Sequence, residues 1–443
     1  MTGLVETPLD AIVVGAGVAG MVAARRLQQA GLRVRLFEAE PLVGGRVGDR
    51  EVRGMRFNAG ARLVYPFSPG FNRLIDEIGL RDQTVAIRDL SAEVVGADAN
   101  WRVALLPGPG ALLTPGLPLA ERARLALASA RLLATRGTTN PDDATTAPAA
   151  DAITLADYTR GLMGPQVLAR MVDPVFRGTR AWNSEDISAA FFATTTPHMI
   201  GRREVLVFRG GMAQLATGLA QGLDIRCNTR VRSVSVVDGL CRITRSEGAP
   251  VSARAVVIAL QGALVRDLVP QMSPEDRAFF DTVRYNSLGI VHYRLDRDIP
   301  ARMAFFARDM AGPIATFQQI PANPSKGTPA QLYAQLSPEA NRLAAADPGN
   351  LHGLIEGRLR QLYPALDRDV VDRHEQWIAH KLPTFHPGYG KGLGAFVSRH
   401  DRAPGRIVYA GDYLAQSLLT GAAFAGERAA RQVLKALRSE SAI

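Results

Sequence analysis

The chain has 443 residues, 47% of them hydrophobic and 21% charged, with a formal net charge of +10. That length is too great for one ordinary core and predicts two tandem or interleaved domains. The basic residues are spread thinly, with no Lys/Arg run of five, so no nucleic-acid partner is expected; an arginine-rich surface is the plainer reading, with an anionic membrane or an acidic ligand left open.

Four of the 52 basic residues are lysines: Lys326, Lys381, Lys391 and Lys435. The first ten residues, MTGLVETPLD, carry no basic stretch leading into an apolar one, so no secretory signal is expected. No apolar run reaches the roughly 18 residues of a spanning helix. A cytoplasmic protein is expected, with peripheral membrane association open.

Residues 10–14, DAIVV, predict a strand, followed by Gly15, Gly17 and Gly20 and then an amphipathic helix, MVAARRLQQAG, closing at Gly31. RVRLFEA is a second strand that ends at Glu38. This is a βαβ unit of a doubly wound sheet. Gly15 permits the tight turn, Gly17 lets backbone approach a pyrophosphate, and Gly20 lets helix and strand pack closely, while the helix N-terminus offers free N–H groups to the anion. Glu38 stands where a carboxylate can accept from ribose hydroxyls and disfavours a 2′-phosphate. Up to this point a nicotinamide and a flavin dinucleotide fit equally well, with NADP disfavoured. The glycine pair Gly44–Gly45 followed by Arg46 then suits a larger cofactor that continues past the pyrophosphate.

Further along, FNRLIDEIG and ERARLALASARLLATR (121–136) read as helices, GTTNPDDATTAPAAD (137–151) as a mobile loop, and 154–172 as helix again. The helical block of roughly 115–200 interrupts the α/β pattern and reads as an inserted substrate-side lobe. The pattern resumes with VLVFRGGMAQLATGLAQ, the strands IRCNTRVRSVSVV, CRITR and ARAVVIAL, and a β-rich stretch from YNSLGIVHYRLD (285–296) containing the helix GNLHGLIEGRLRQLY. IVYAGDYLAQSLLTGAAFAGERAARQVLKAL closes the chain as strand, turn, loop and helix. Cys227 and Cys241 lie too far from each other and from any His pair to predict a metal site, and read as reduced thiols.

These motifs, in this order, resemble the flavin amine oxidase, protoporphyrinogen oxidase and phytoene desaturase superfamily, and the resemblance implies FAD. It implies an α/β fold: a Rossmann-type FAD-binding domain of the GR2-like kind, split along the chain (1–88, 203–284, 390–443), with an inserted α+β substrate domain and helical lobe (89–202, 285–389). It implies cofactor contacts from Gly15, Gly17, Val18, Ala19, Gly20, Glu38, Ala39, Gly44, Gly45 and Arg46. FNAGA (57–61) resembles the loop passing the flavin, with Gly60, Ala61 and Arg62 as contacts and Asn58 where Asp is frequent. Val231 takes the place of the strand residue that clamps the adenine. Gly411 and Asp412 of YAGDY would hold the ribityl chain or pyrophosphate, and the helix N-terminus at Gly421–Ala422 would face the flavin N1/O2 edge.

Within that superfamily the amine oxidase branch usually carries a Lys near flavin N5 on the strand corresponding to 285–296, which has none, and an aromatic residue before the closing helix, where Leu418 and Leu419 stand. Tyr413 supplies at most one ring. The segments 173–188, YNSLGIV and KLPTFHPGYGKGLGAF (381–396) resemble the protoporphyrinogen oxidase branch, except that RAWNSED replaces that branch's small Gly–Asp pair. The resemblance implies dehydrogenation of a small, hydrophobic substrate by hydride transfer to flavin N5, with reoxidation by O₂ or another acceptor. A carotenoid-type desaturase, a tailoring oxidase, an amine oxidase and a redox-neutral isomerase are the alternatives; a homodimer is open. No catalytic dyad is visible. Arg170, Arg177 and Arg180 are candidates to pair substrate carboxylates. His292 and His386 read as packed or surface imidazoles, and Trp182 and Phe176 as core.

Overall fold

A parallel stretch buried on both faces must be apolar, and the buried ends of Leu9–Val14 (11–14) and Val251–Ile258 (255–258) are: they pair in parallel, Ile12 opposite Val256 and Val14 opposite Ile258. The structure, a computed structural model, describes residues 8–440 other than 54, 59, 311, 325 and 326, and the side chains of these except 56 and 440. Residues 1–7, Ala59 and Lys326, on which readings above rest in part, lie outside the described residues.

Val34–Phe37 and then Asp224–Arg226 extend this sheet on one side in parallel. On the other side, Leu240–Arg245 and Val231–Val237 add antiparallel to the start of Val251–Ile258, and Ile407–Tyr409 pairs in parallel with its end. Helix Val18–Gln29 packs with the closing helix Leu419–Glu440 on one face, where the small residues Ala19 and Gly426 let the two backbones meet. The opposite face is covered by Pro274–Thr282 and Tyr389–Arg402, whose Phe279, Phe280, Tyr389 and Phe396 form an aromatic layer over Ile12 and Val256.

A second, mostly antiparallel sheet runs Val370–Pro383, Tyr285–Leu295, Gln331–Leu336, Ile314–Ile320, Arg302–Phe306, Ser91–Val95 and Asn100–Ala104. A helical lobe leans on it: Leu119–Ala134, Leu155–Leu162, Asp173–Arg180 and Ala190–Met199, with Leu125, Leu132, Phe176, Trp182 and Phe191 at its centre. The seam between lobe and sheet depends on Gly178, whose missing Cβ leaves room for the ring of the fully buried Phe305.

One expectation needs correction. Residues 137–151 are ordered rather than mobile: the Asp142 carboxylate is buried against the Ser68 hydroxyl, Asp143 accepts from Thr145 N at 3.0 Å, and Ala144 N donates to Ala415 O at 2.9 Å. The small residues that suggested flexibility are what allow the segment to bury. The Gly-rich stretch after Gly388 is a helix, Tyr389–Arg402, which periodicity did not reveal. Asp151 caps it from a distance, accepting from Gly390 N and Lys391 N at 2.8 and 2.9 Å, so its start is fixed by tertiary contact.

Truncating Phe305 to Ala leaves a cavity beneath Gly178 that the rigid sheet cannot close. The expected loss is about 3–5 kcal/mol of stability, read as a shift of the urea midpoint at constant slope. An unchanged midpoint would show that lobe and sheet do not depend on this seam.

Candidate active site

The turn after the first strand is built by its glycines. Gly15 adopts φ +103°, and a Cβ there would meet Ala259 O at 2.7 Å; a Cβ on Gly20 would collide with Gly15 O. A Cβ on Gly17 would have nothing within 4 Å, so the space in front of the helix N-terminus is open. Glu38 closes the turn from the second strand, its carboxylate accepting from Ala16 N at 2.7 Å and Glu40 N at 2.9 Å. Gly44 crosses beneath, bridged to Gly17, with its N–H on Ala16 O at 2.8 Å. Val18 and Ala19 form the first turn of the helix, and Ala39 follows Glu38 at the sheet's end. An open cradle of backbone donors beside a carboxylate fits a dinucleotide.

Arg46 leaves this cradle and reaches two remote segments. Its Nη1 and Nη2 grip the Asp412 carboxylate at 2.8 and 2.9 Å, and Nη1 also donates to Lys381 O at 2.8 Å. Asn58 Oδ1 accepts from Gly60 N at 2.7 Å, and Ala61 N donates to Arg46 O at 2.9 Å, so Gly60 and Ala61 are laid against Arg46. Arg62 stacks 4.0 Å over the Tyr333 ring on the second sheet. Val231 opens the strand at the sheet's far edge, opposite Arg245 and beside a bulge. Gly411 precedes Asp412 directly. The closing helix begins at Leu419, earlier than the Gly421–Ala422 start expected above. Ala422 N already donates to Leu418 O, so the unspent N–H groups of the first turn belong to Leu419, Thr420 and Gly421.

Sequence reasoning missed Lys381. It lies in the long strand Val370–Pro383, where pairing steps from Leu382↔Asn286 to Ile378↔Leu288 and leaves residues 379–381 opposite a single partner position. The bulge takes Lys381 out of the ladder, freeing its carbonyl for Arg46 and turning its ammonium to Thr179 O at 3.2 Å. Burial, reinforced by Arg62 and Arg180, holds that ammonium well below the ordinary lysine range. The scarcity of lysine was the only hint available from the sequence.

Thr179 is also part of the wall of a cavity of about 330 Å³ between the helical lobe and the strand Asn100–Ala104, lined mainly by apolar groups such as Leu132, Met171, Phe176 and Phe191. Among the described residues, Arg102 and Arg180 are the only charged residues of that lining, and no Asp, Glu, His or Lys contributes to it. Three contacts therefore separate the cavity wall from Asp412: Thr179 to Lys381, Lys381 to Arg46, Arg46 to Asp412.

The three arginines proposed for carboxylates differ. Arg177 is committed to Glu339, with two bonds of 2.9 and 2.8 Å, and to Asn183. Arg170 stacks 4.9 Å from the Trp101 ring and donates to Gln166. Arg180 alone is both buried and without an acidic partner among the described residues. His292 is wedged against Phe57 at 4.5 Å, and burial pushes it down to about 3, so it is a neutral packing element. His386 meets the carbonyls of Thr282 and Pro387. Trp182 is core, as expected; Phe176 packs in the same cluster but also lines the cavity, and Tyr413 is fully buried beneath the aromatic layer.

A family model described as flavin containing amine oxidoreductase matches residues 18–434. Protoporphyrinogen oxidase 2, chloroplastic/mitochondrial, of Arabidopsis thaliana is 27% identical over 177 residues, 40% of this chain and 33% of the relative. Zeta-carotene desaturase of Capsicum annuum is 26% identical over 314 residues, 64% of this chain and 53% of the relative. The chain thus spans about a third to half the length of these curated relatives. Among solved structures, cyclohexylamine oxidase from Brevibacterium oxydans IH-35A superposes with a TM-score of 0.72 over 97% of this chain and 100% of that one, at 18% identity, a likeness of fold.

The Arg177–Glu339 pair is structural and carries a pH signature. Burial alone would raise the Glu339 carboxyl, but hydrogen bonds from Arg177 outweigh it and hold it at about 2, below the usual 4.5. A depressed carboxyl contributes stability above its unfolded value and loses it as pH falls toward the folded one. The stability advantage over Arg177→Met should therefore be full above about pH 4.5 and shrink as pH falls toward 2. Urea melts at pH 7, 4 and 3 measure it, and a constant difference would sink the idea.

Proposed function

The chain belongs to the flavin-containing amine oxidoreductase family, with FAD as its cofactor, and from that premise we propose that it dehydrogenates a hydrophobic substrate in the manner of protoporphyrinogen oxidase. The observation that carries this reading is the cavity: mainly apolar, set between the lobe and the strand Asn100–Ala104, connected to Asp412 by three contacts and lined, among the described residues, by no Asp, Glu, His or Lys. When bound, FAD supplies a two-electron acceptor that takes a hydride from substrate carbon and yields its electrons to O₂ or another acceptor.

The chain's own work is then binding, orientation and exclusion of water. Gly15, Gly17, Val18, Ala19 and Gly20 would cradle the pyrophosphate, with Glu38 and Ala39 at the adenosine ribose and Val231 at the adenine. Gly44, Gly45 and Arg46, with Gly60, Ala61 and Arg62, would line the path to the ring. Gly411 and Asp412 would take the ribityl side, and Gly421 with the first turn of the closing helix would face developing negative charge. The division into a cofactor unit of 1–88, 203–284 and 390–443 and a substrate unit of 89–202 and 285–389 belongs to this reading. An amine substrate is disfavoured, since no carboxylate lines the cavity to receive an ammonium. A carotenoid-type desaturase would use the same cavity and is the nearest alternative.

Peripheral membrane contact gains support from the lobe. Leu113, Leu119 and Leu127 are exposed beside the cavity-lining Ala111, Thr114 and Leu125, with Arg124 and Arg131 on the same outer face and the one acid of the helix, Glu121, turned inward. A basic, leucine-studded face suits an anionic bilayer from which an apolar substrate could enter. Among the described residues no helix is long and apolar enough to cross a membrane.

Anaerobic addition of protoporphyrinogen to the FAD-loaded protein should bleach the oxidised flavin band, with recovery on admitting air. A band that stays intact removes the porphyrin assignment and turns the search to polyenes. Flotation with vesicles containing anionic lipid should carry the protein upward, and Leu119→Glu with Leu127→Glu should cut the floated fraction several-fold; equal flotation on neutral vesicles would remove the basic face from the account.

A further inference from the structure

Among the described residues Lys381 is the one buried lysine, 7% exposed, whereas Lys391 and Lys435 lie at the surface. Its Nζ has one recorded partner, Thr179 O at 3.2 Å, and no acid among the described residues. An ammonium has three N–H groups to place and finds a single acceptor. A neutral amine is satisfied by that one bond and keeps its lone pair free. Burial, reinforced by Arg62 and Arg180, disfavours the charged form in the same direction.

The plainest alternative role is a cap, since Thr179 belongs to the last turn of the helix Asp173–Arg180. The next two carbonyls of that turn, Arg180 O and Ala181 O, are already taken by Asn286 Nδ2 at 2.8 and 3.0 Å. A helix end returns less to a cation than desolvating an unpaired one costs. Capping therefore accounts for one N–H of Lys381 and leaves its lone pair unused.

We propose that Lys381 is the proton acceptor of the dehydrogenation. This rests on the dehydrogenase reading of the site. Removing two hydrogens from a substrate sends one away as hydride and releases the other as a proton, and among the described residues the cavity lining holds no Asp, Glu, His or Lys to take it. Lys381 stands just beyond that lining: its amine meets Thr179, which lines the cavity, and its carbonyl meets Arg46, which borders the cofactor motifs. A substrate that fills the one and reaches toward the other meets the amine at its reacting end. The hydride then leaves carbon with its electron pair for FAD, the oxidant. The adjacent N–H or C–H bond breaks, its proton joins the Nζ lone pair, and its electrons close the new double bond. The ammonium so formed lies beside Arg62 and Arg180 without an acid, so it yields its proton to solvent and the amine is restored before the next turnover.

Anaerobic stopped-flow mixing of the FAD-loaded protein with protoporphyrinogen, at pH 6 to 9, tests this. The rate constant of flavin reduction should rise with pH and level off below the ordinary lysine range. Lys381→Ala should lower the plateau by about 10²–10⁴-fold and lose the pH dependence, and added ethylamine should restore part of the rate. Lys381→Arg keeps a donor for Thr179 O but offers no base, so it should stay slow. A Lys381→Arg protein with the wild-type rate and profile makes Lys381 a cap and overturns the proposal, while leaving dehydrogenation intact. Independently of any donor, ¹⁵N labelling of the four lysine side chains should show one Nζ titrating well below the others, absent from both variants. Should Lys381→Ala take up no FAD, Lys381→Arg supplies the comparison and the assignment. An Nζ at position 381 that titrates with the surface lysines overturns the proposal. If neither protoporphyrinogen nor a polyene such as ζ-carotene reduces the flavin, the dehydrogenase reading falls and the titration decides alone: a neutral amine at pH 8 keeps a proton acceptor at this place, an ammonium removes it.

Discussion

The bidentate contact between Arg46 and Asp412 is the constraint on which the rest of the site depends. The two residues lie 366 positions apart, and the same guanidinium takes the carbonyl of Lys381, 335 positions away. One planar group thus fixes the start of the chain, the end of the chain and the second sheet relative to one another. Asp412 is nearly fully buried, so removing Arg46 would leave a desolvated carboxylate with, among the described residues, the Tyr413 N–H at 3.2 Å as its remaining donor. Lysine could not replace Arg46, because a point charge cannot hold both carboxylate oxygens and a carbonyl in one plane.

From that node the architecture runs outward in two directions. Toward the first sheet, the close approach of Gly15 and Gly20 lets the helix start hard against the strand, leaving its N-terminus open beside Glu38. Toward the second sheet, the bulge in Val370–Pro383 breaks a ladder that would otherwise have consumed the Lys381 carbonyl. Regular pairing there would have cost the link between Arg46 and the cavity wall at Thr179.

Much of this was legible in the sequence, for local reasons. The turn glycines, Glu38 and the flanking apolar strands are close in the chain, and each role follows from backbone geometry within some thirty residues. Helices such as Leu119–Ala134 and Leu351–Leu362 announce themselves by apolar periodicity. The order at 137–151, the helix Tyr389–Arg402 and the burial of Lys381 rest instead on partners far away: Ser68 and Ala415 for the first, Asp151 for the second, Thr179 for the third. No window of sequence contains both halves of such contacts. The closing helix was misplaced by two residues because its true start at Leu419 carries no capping residue that a pattern could recognise.

The three candidate arginines show the same division at the level of charge. Arg170, Arg177 and Arg180 lie within a decade of one another, two of them on a single helix, and sequence treats them alike. What separates them is whether an acid arrives from elsewhere. Glu339, from the second sheet's side, reaches Arg177 and spends it on structure, while Trp101 covers Arg170. No carboxylate among the described residues reaches Arg180, although Asn286 holds the Arg180 carbonyl at 2.8 Å, so its backbone is as firmly placed as its neighbour's. A rigidly held, buried cation facing an apolar space is expensive to keep. Within the fold its guanidinium is held instead by the Thr179 hydroxyl and the faces of Phe176 and Phe191.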